Sequence, residues 1–295
     1  MLALAGFLLL APPVFVFGPL AGLLLVSRPG TAREWLWLLA AGAWSALWLQ
    51  QIGGVGAQVT RAAAVLLCGA FLSLTLWQPS NAVGRAVAAT ATAAAVLGLW
   101  MWRLGIGWSR LVQGVNQELS QYETVVREQW RTAGAPQQLI DQAGSMVHSV
   151  SQLYPGLLAL AGIAGLRLAW TWYHRLAVHP MGAPPAPFRT FGFSDQLVWG
   201  WVLALTLTLV PVPEAWRLAG ANLLLVLGVL YAARGLAVVL SQAGGVAGPV
   251  GVVLGFIAVF LLPFVVGGLT LLGLADTWLD FRRRLSTPST GGFKQ

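Results

Sequence analysis

An all-α, polytopic transmembrane bundle of about eight spans, with a cytoplasmic two-helix insertion, is the fold this sequence predicts. Three observations predict it. Hydrophobic residues make up 57% of the chain and charged residues 9%, where soluble domains carry about 25% charge. Apolar runs recur at the length that crosses a bilayer core, about 20 residues of helix for ~30 Å of hydrocarbon. One polar stretch, 107–153, interrupts these runs with its own helical period.

The first run, Leu2 to Val26, has no basic residue ahead of it and carries Pro12 and Pro13 at its middle. It reads as a retained, kinked first span rather than a cleaved leader. Ser27-Arg28-Pro29-Gly30 turns the chain into a second span, Glu34 to Leu49. A third runs from Val59 to Trp77 and a fourth from Ala86 to Trp102, separated by the turn residues of QPSNAVGR. In the polar stretch, Leu111, Val115, Leu119, Tyr122, Val126 and Trp130 recur at steps of three and four, one face of an amphipathic helix. Gly134-Ala135-Pro136 breaks it. Leu139, Ile140, Ala143, Met146, Val147 and Val150 continue the period in a second arm, making a helical hairpin outside the hydrocarbon.

Tyr154-Pro155-Gly156 is expected to open the fifth span, which ends near Tyr173. A proline-rich connection leads to a sixth span, Gln196 to Val210, and Pro211 and Pro213 force the next turn. The seventh span is Ala219 to Leu240, and the eighth is expected from Val250 to Leu274. The chain thus divides into an N-terminal four-span half (1–103), the hairpin (104–153), a C-terminal four-span half (154–285) and a disordered tail (286–295). Placing the Arg282–Arg284 triplet in the cytoplasm puts most basic residues inside and leaves Arg28, Arg33, Arg85, Arg175 and Arg189 outside. Both termini and the hairpin are then cytoplasmic, and the membrane is a cell inner membrane. Trp35, Trp77, Trp102, Trp170 and Trp278 are expected near span ends, as interfacial anchors.

The chemistry of the spans is sparse. The net charge of +8 belongs to topology rather than to nucleic acid, and a single cysteine, Cys68, excludes a disulfide framework. No Asp, Glu, His or Lys falls in the apolar body of a span, so no catalytic residue, metal site or cofactor is expected. His174 and His179, five apart, are a weak metal signal, and loop histidines are the preferred reading. The informative residues are Arg167 and Arg234. Each stands about six residues before the end of its helix, hence ~9 Å below the same face. With no carboxylate within the spans to offset them, three outcomes are open: snorkelling to headgroups, bonding to backbone carbonyls of broken helices, or lining an outward polar cavity with Tyr231 and Asn222. Asn222 has a commoner use, bonding between helices.

The runs FRTFGFSDQLVWGWVLAL (188–205), ANLLLVLGVLYAARGLAVV (221–239) and LTLLGLADTWLDFRRR (269–284) resemble the C-terminal half of the YybS-like family of bacterial inner-membrane proteins of unknown function. Asn222, Tyr231, Gly235, Leu236, Ala237, Asp276 and Trp278 stand at the matching positions. The family is similar in outline to the substrate-binding components of energy-coupling-factor transporters and to the rod-shape protein MreD. That resemblance implies a helical fold with an outward cavity and carries no established binding residues. The expectation is a non-enzymatic, transport-related protein that binds an anionic small molecule or lipid at Arg167, Arg234, Tyr231 and Asn222. Its hairpin would dock a cytoplasmic protein partner. The alternative is a scaffold for envelope assembly or division.

Overall fold

The computed structural model describes residues 13–77, 81–134, 136–242 and 261–281, without the side chains of 122 and 139–144. All regular structure among them is helical: α1 (Val14–Val26), α2 (Ala32–Leu49), α3 (Val55–Trp77), α4 (Ala82–Arg103), α5 (Trp108–Thr132), α6 (Gln137–Leu176), α7 (Leu197–Leu209), α8 (Glu214–Gln242) and α9 (Leu262–Leu279). Five segments are long and apolar enough to cross a membrane: α3, α4, Ser145–Leu176 of α6, α8 and α9. Two shorter helices, α1 and α7, are apolar throughout. The second expected span forms as α2, but Arg33, Glu34 and the tryptophans at 35, 37, 44 and 48 keep it off that group. The first half of the first span, Pro12, the Gly251–Gly255 pair, the arginine triplet and the tail lie outside the described residues.

Local sequence sets the helix ends. Thr31 caps α2: its hydroxyl accepts the Glu34 N–H while Glu34 Oε2 accepts the Thr31 N–H, a reciprocal capping box. Asn81 caps α4 through Oδ1, which accepts the Val83 N–H. Gly134, at φ 71°, turns the chain between α5 and α6 in a conformation that a side chain disfavours.

α6 is the centre of the bundle, packing against α1, α3, α4, α5 and α8. At 40 residues it is about 60 Å long, twice the hydrocarbon thickness. Tyr154-Pro155-Gly156 does not open a new helix, contrary to the sequence expectation; Pro155 lies inside α6, so the hairpin's second arm and the fifth span are one rod. A proline there removes one helical N–H and crowds the carbonyl four residues earlier. Asn222 of α8 repairs the turn. Its Oδ1 accepts the Gly156 N–H at 2.7 Å and its Nδ2 donates to Gln152 O at 2.9 Å, the two groups that an unbroken helix pairs with each other.

The single eighth span expected from Val250 to Leu274 also does not match the described helix, which starts at Leu262. α9 runs in the same direction as α8: Thr270 donates to Gly228 O, Gly273 abuts Tyr231, and Arg234 bonds Asp276. The up-and-down alternation used to place the C-terminus therefore fails between these two helices. Their approach depends on glycine, since a methyl group at Gly235 would land on the Leu269 carbonyl oxygen, and one at Gly273 on that of Tyr231.

The bundle has two ends. At one, Glu118 of α5 accepts the Gly56 N–H and Tyr154 hydrogen-bonds Thr60, tying the hairpin to α3. At the other lie the start of α4, the ends of α6, α8 and α9, and the proline-rich segment 177–196. In a Cys68→Ser background, Ser241→Cys and Asp280→Cys should be labelled by a membrane-impermeant maleimide from one side, and Ser120→Cys from the other. Labelling of 241 and 280 from opposite sides would restore the single eighth span.

Candidate functional site

The segment 177–196 crosses the end of the bundle as a strap. Pro180, Pro184, Pro185 and Pro187 have no N–H to give, which leaves carbonyls free to accept. Helical side chains hold it. Glu34 Oε1 accepts the Val178 N–H at 2.8 Å, Tyr173 Oη accepts the Met181 N–H at 2.8 Å, and Asn81 Nδ2 donates to Gly192 O at 3.2 Å. Arg167 Nη2 donates to Ala186 O at 3.4 Å.

Beneath the strap is a cavity of about 310 Å³. Asn81, Ala82 and Val83 at the start of α4, Arg167 and Trp170 of α6, and the strap from 183 to 192 form its wall. Arg167 is half-buried, 5.7 Å from the Phe191 ring centre, and forms no ion pair among the described residues. It bonds a carbonyl of the strap rather than of a broken helix, and it stands in the cavity wall without Tyr231 or Asn222. Trp170, expected at the interface, is instead 0% exposed, packed against Phe71, Tyr173 and His174. His174 belongs to α6 rather than to a loop. No group of three or more His, Cys, Asp or Glu that could hold a metal occurs among the described residues.

Arg234 is resolved differently. The expectation that no carboxylate could offset it is corrected: its Nε donates to Asp276 Oδ2 at 2.9 Å, its Nη1 to Asp195 Oδ1 at 2.8 Å, and its Nη2 to Asp276 O at 3.3 Å. Asp276 is 1% exposed and Asp195 64%. Both acids stand at borders of the spans; the fold buries Asp276 and brings the exposed Asp195 of the strap against the guanidinium. Arg234 lies 5.6 Å from the Phe193 ring centre, and Phe193 also packs on Tyr231.

The two arginines do stand at matching depths. Arg167 follows Gly156 by eleven residues and Arg234 follows Asn222 by twelve, so each lies about 17–18 Å beyond the Gly156–Asn222 bond along parallel helices. Phe191 and Phe193, 6.1 Å apart, stand between them. Arg167 alone of the four expected residues lines the cavity. Tyr231 is buried beside Phe193 and Trp201, and Asn222 is spent on the helix junction. Sequence reasoning missed Arg85 of α4, which it set among the outer arginines; it is 4% exposed and stacked 4.3 Å from the Trp170 ring centre. The available signal was its place one turn after a capping asparagine, where the helix dipole disfavours a cation.

The chain belongs to the family described as "Predicted membrane protein (DUF2232)", whose model matches residues 1–277. This agrees with the YybS-like resemblance; the more distant likeness to energy-coupling-factor components and MreD finds no support. No curated protein and no solved structure matches the chain.

Arg234→Ala leaves the Asp276 carboxylate buried without its cation and should lower stability by about 3–5 kcal/mol. Asp195→Asn, at an exposed partner, should cost about 0–1 kcal/mol. Asn222→Ala strands Gly156 N–H and Gln152 O and should cost about 1–3 kcal/mol. Thermal unfolding of the purified protein in detergent reads all three.

Proposed function

We propose that this membrane protein binds an anionic small molecule or lipid headgroup in the cavity beside Arg167. It would serve as a transport-related component of an inner membrane, with no catalysis of its own. One observation carries the reading: a cavity of about 310 Å³ has a guanidinium in its wall and no carboxylate. A cation there attracts an anion strongly because apolar walls screen charge poorly. Trp170, Phe191, Val83 and the prolines supply apolar surface for the remainder of a ligand, the usual division of labour in small-molecule sites. Arg234 is satisfied by its own acids, so its part is to fix α8, α9 and the strap around the site.

The α5–α6 hairpin, with Val125, Val126 and Trp130 exposed, is the surface on which a cytoplasmic partner would dock. One observation favours the scaffold alternative. On α9, Gly267 and Gly268 meet no described neighbour within 4 Å, and Phe264 and Leu271 are exposed beside them, a face suited to another helix. A pulldown that captures cell-wall or division proteins without an ATPase or coupling subunit would favour it.

The test is a thermal-shift screen of the purified protein against anionic metabolites and lipids, with cationic and neutral compounds as controls. Anions should raise the unfolding temperature of the wild type, and Arg167→Gln should abolish the shift while the protein still folds. An anion-induced shift equal in wild type and Arg167→Gln would overturn the cavity reading.

A further inference from the structure

Arg85 forms no ion pair among the described residues. It sits one turn into α4, its N–H donating to Asn81 O, and its side chain is carried inward between α3 and α6. The guanidinium lies 4.3 Å from the Trp170 ring centre and 5.7 Å from that of Phe71. Nε and Nη1 are buried and have no hydrogen-bond partner among the described residues. Two aromatic faces offset only part of the cost of withdrawing a guanidinium from water.

The supply of carboxylates is short. The chain has nine Asp and Glu in all; the segments 1–12, 78–80, 243–260 and 282–295 contain none of them, and Asp141, whose side chain is not described, precedes Trp170 by 29 residues on α6, about 44 Å along the helix. Glu34 is occupied by Thr31 and Val178, Glu118 by Gly56, Glu123 by Arg127, and Asp195 and Asp276 by Arg234. No ion pair among the described residues reaches Arg85 or Arg167. Both cations meet at one element: Trp170, which Arg85 covers, stands in the same cavity wall as Arg167. The N-terminus of α4, with Asn81, Ala82 and Val83 in that wall, adds the positive end of a helix dipole.

Resting on the anion-binding reading above, we infer that the cavity takes a phosphate group, with Arg167 binding it and Arg85 supplying the second positive charge beside Trp170. A carboxylate presents its oxygens in one plane and suits one guanidinium fork. A phosphate carries up to two negative charges, so besides its contact with Arg167 it gains from a second cation held behind Trp170. Phosphate on a phospholipid headgroup and phosphate on a soluble ester share this chemistry.

The experiment uses the full chain, purified and delipidated, with two probes: glycerol 1-phosphate in detergent, and nanodiscs of phosphatidylglycerol against nanodiscs of phosphatidylcholine. Succinate is the carboxylate control. Wild type, Arg85→Gln, Arg85→Lys and Arg167→Gln are compared by thermal shift and by native mass spectrometry. The wild type should bind a phosphate probe more tightly than succinate. Arg85 is buried behind Trp170 and does not itself line the cavity, so Arg85→Gln should weaken that binding by about threefold or more, the effect of a nearby charge acting without contact, and Arg85→Lys should restore most of it. Glycerol 1-phosphate binding supports a soluble ester; selective retention of phosphatidylglycerol alone supports a lipid.

Phosphate binding unchanged in Arg85→Gln but lost in Arg167→Gln overturns the role of Arg85 and leaves the anion site standing. Preference for succinate overturns the phosphate assignment and likewise leaves the site. Failure of the wild type to bind any anion overturns both. If Arg85→Gln does not fold, Arg85→Lys decides: phosphate-over-succinate preference kept by the lysine supports the inference, and its loss without change in succinate binding overturns it.

Discussion

The amide of Asn222 is the contact on which this architecture turns. A proline in the middle of a long helix would ordinarily end it or kink it sharply. Here one side chain from α8 takes the Gly156 N–H and returns an N–H to Gln152 O, so the ladder of α6 is bridged where Pro155 loosens it. Leu218 O accepts a further N–H from the same amide, so the polar group is satisfied in surroundings where an unmet hydrogen bond is costly. Two consequences follow. α6 passes unbroken from the hairpin to the strap, and α8 is fixed against it in one register. That register brings Arg167 and Arg234 level and places the Phe191–Phe193 pair between them.

The second organising feature is the uneven distribution of negative charge. Arg234 draws on Asp276, which is buried, and on Asp195, which is exposed, and so closes α8, α9 and the strap into one electrostatic unit. A buried pair of this kind contributes little net stability compared with apolar packing, but it penalises every arrangement that separates its members. Arg167 and Arg85, by contrast, are left to carbonyl and aromatic partners. Of Arg85, Arg167 and Arg234, only Arg234 has an ion pair among the described residues.

Much of the helical fold was legible in the sequence because hydropathy and period are local properties. α3, α4, α5 and α8 appear close to where their apolar runs and steps of three and four put them. The continuity of α6 was not legible. Tyr154-Pro155-Gly156 carries every local mark of a break, and the group that cancels it lies 66 residues away. The pairing of Arg234 was hidden for the same reason, with its acids 39 and 42 residues distant and each at the edge of an apolar run. Arg167 was recognisable as an embedded cation, but Arg85 looked like a topological charge at a helix start. Only the packing of α4 against α3 and α6 turns it inward.

The strap owes its position to side chains. Among the described residues, its backbone hydrogen bonds are local turns, and its ties to the helices include side-chain bonds from Glu34, Asn81, Arg167, Tyr173 and Arg234. A covering fastened this way depends on separate contacts, each the property of one side chain. Because strap and helices share no backbone ladder among the described residues, the loss of one side-chain clasp leaves the hydrogen bonds of the helical frame intact.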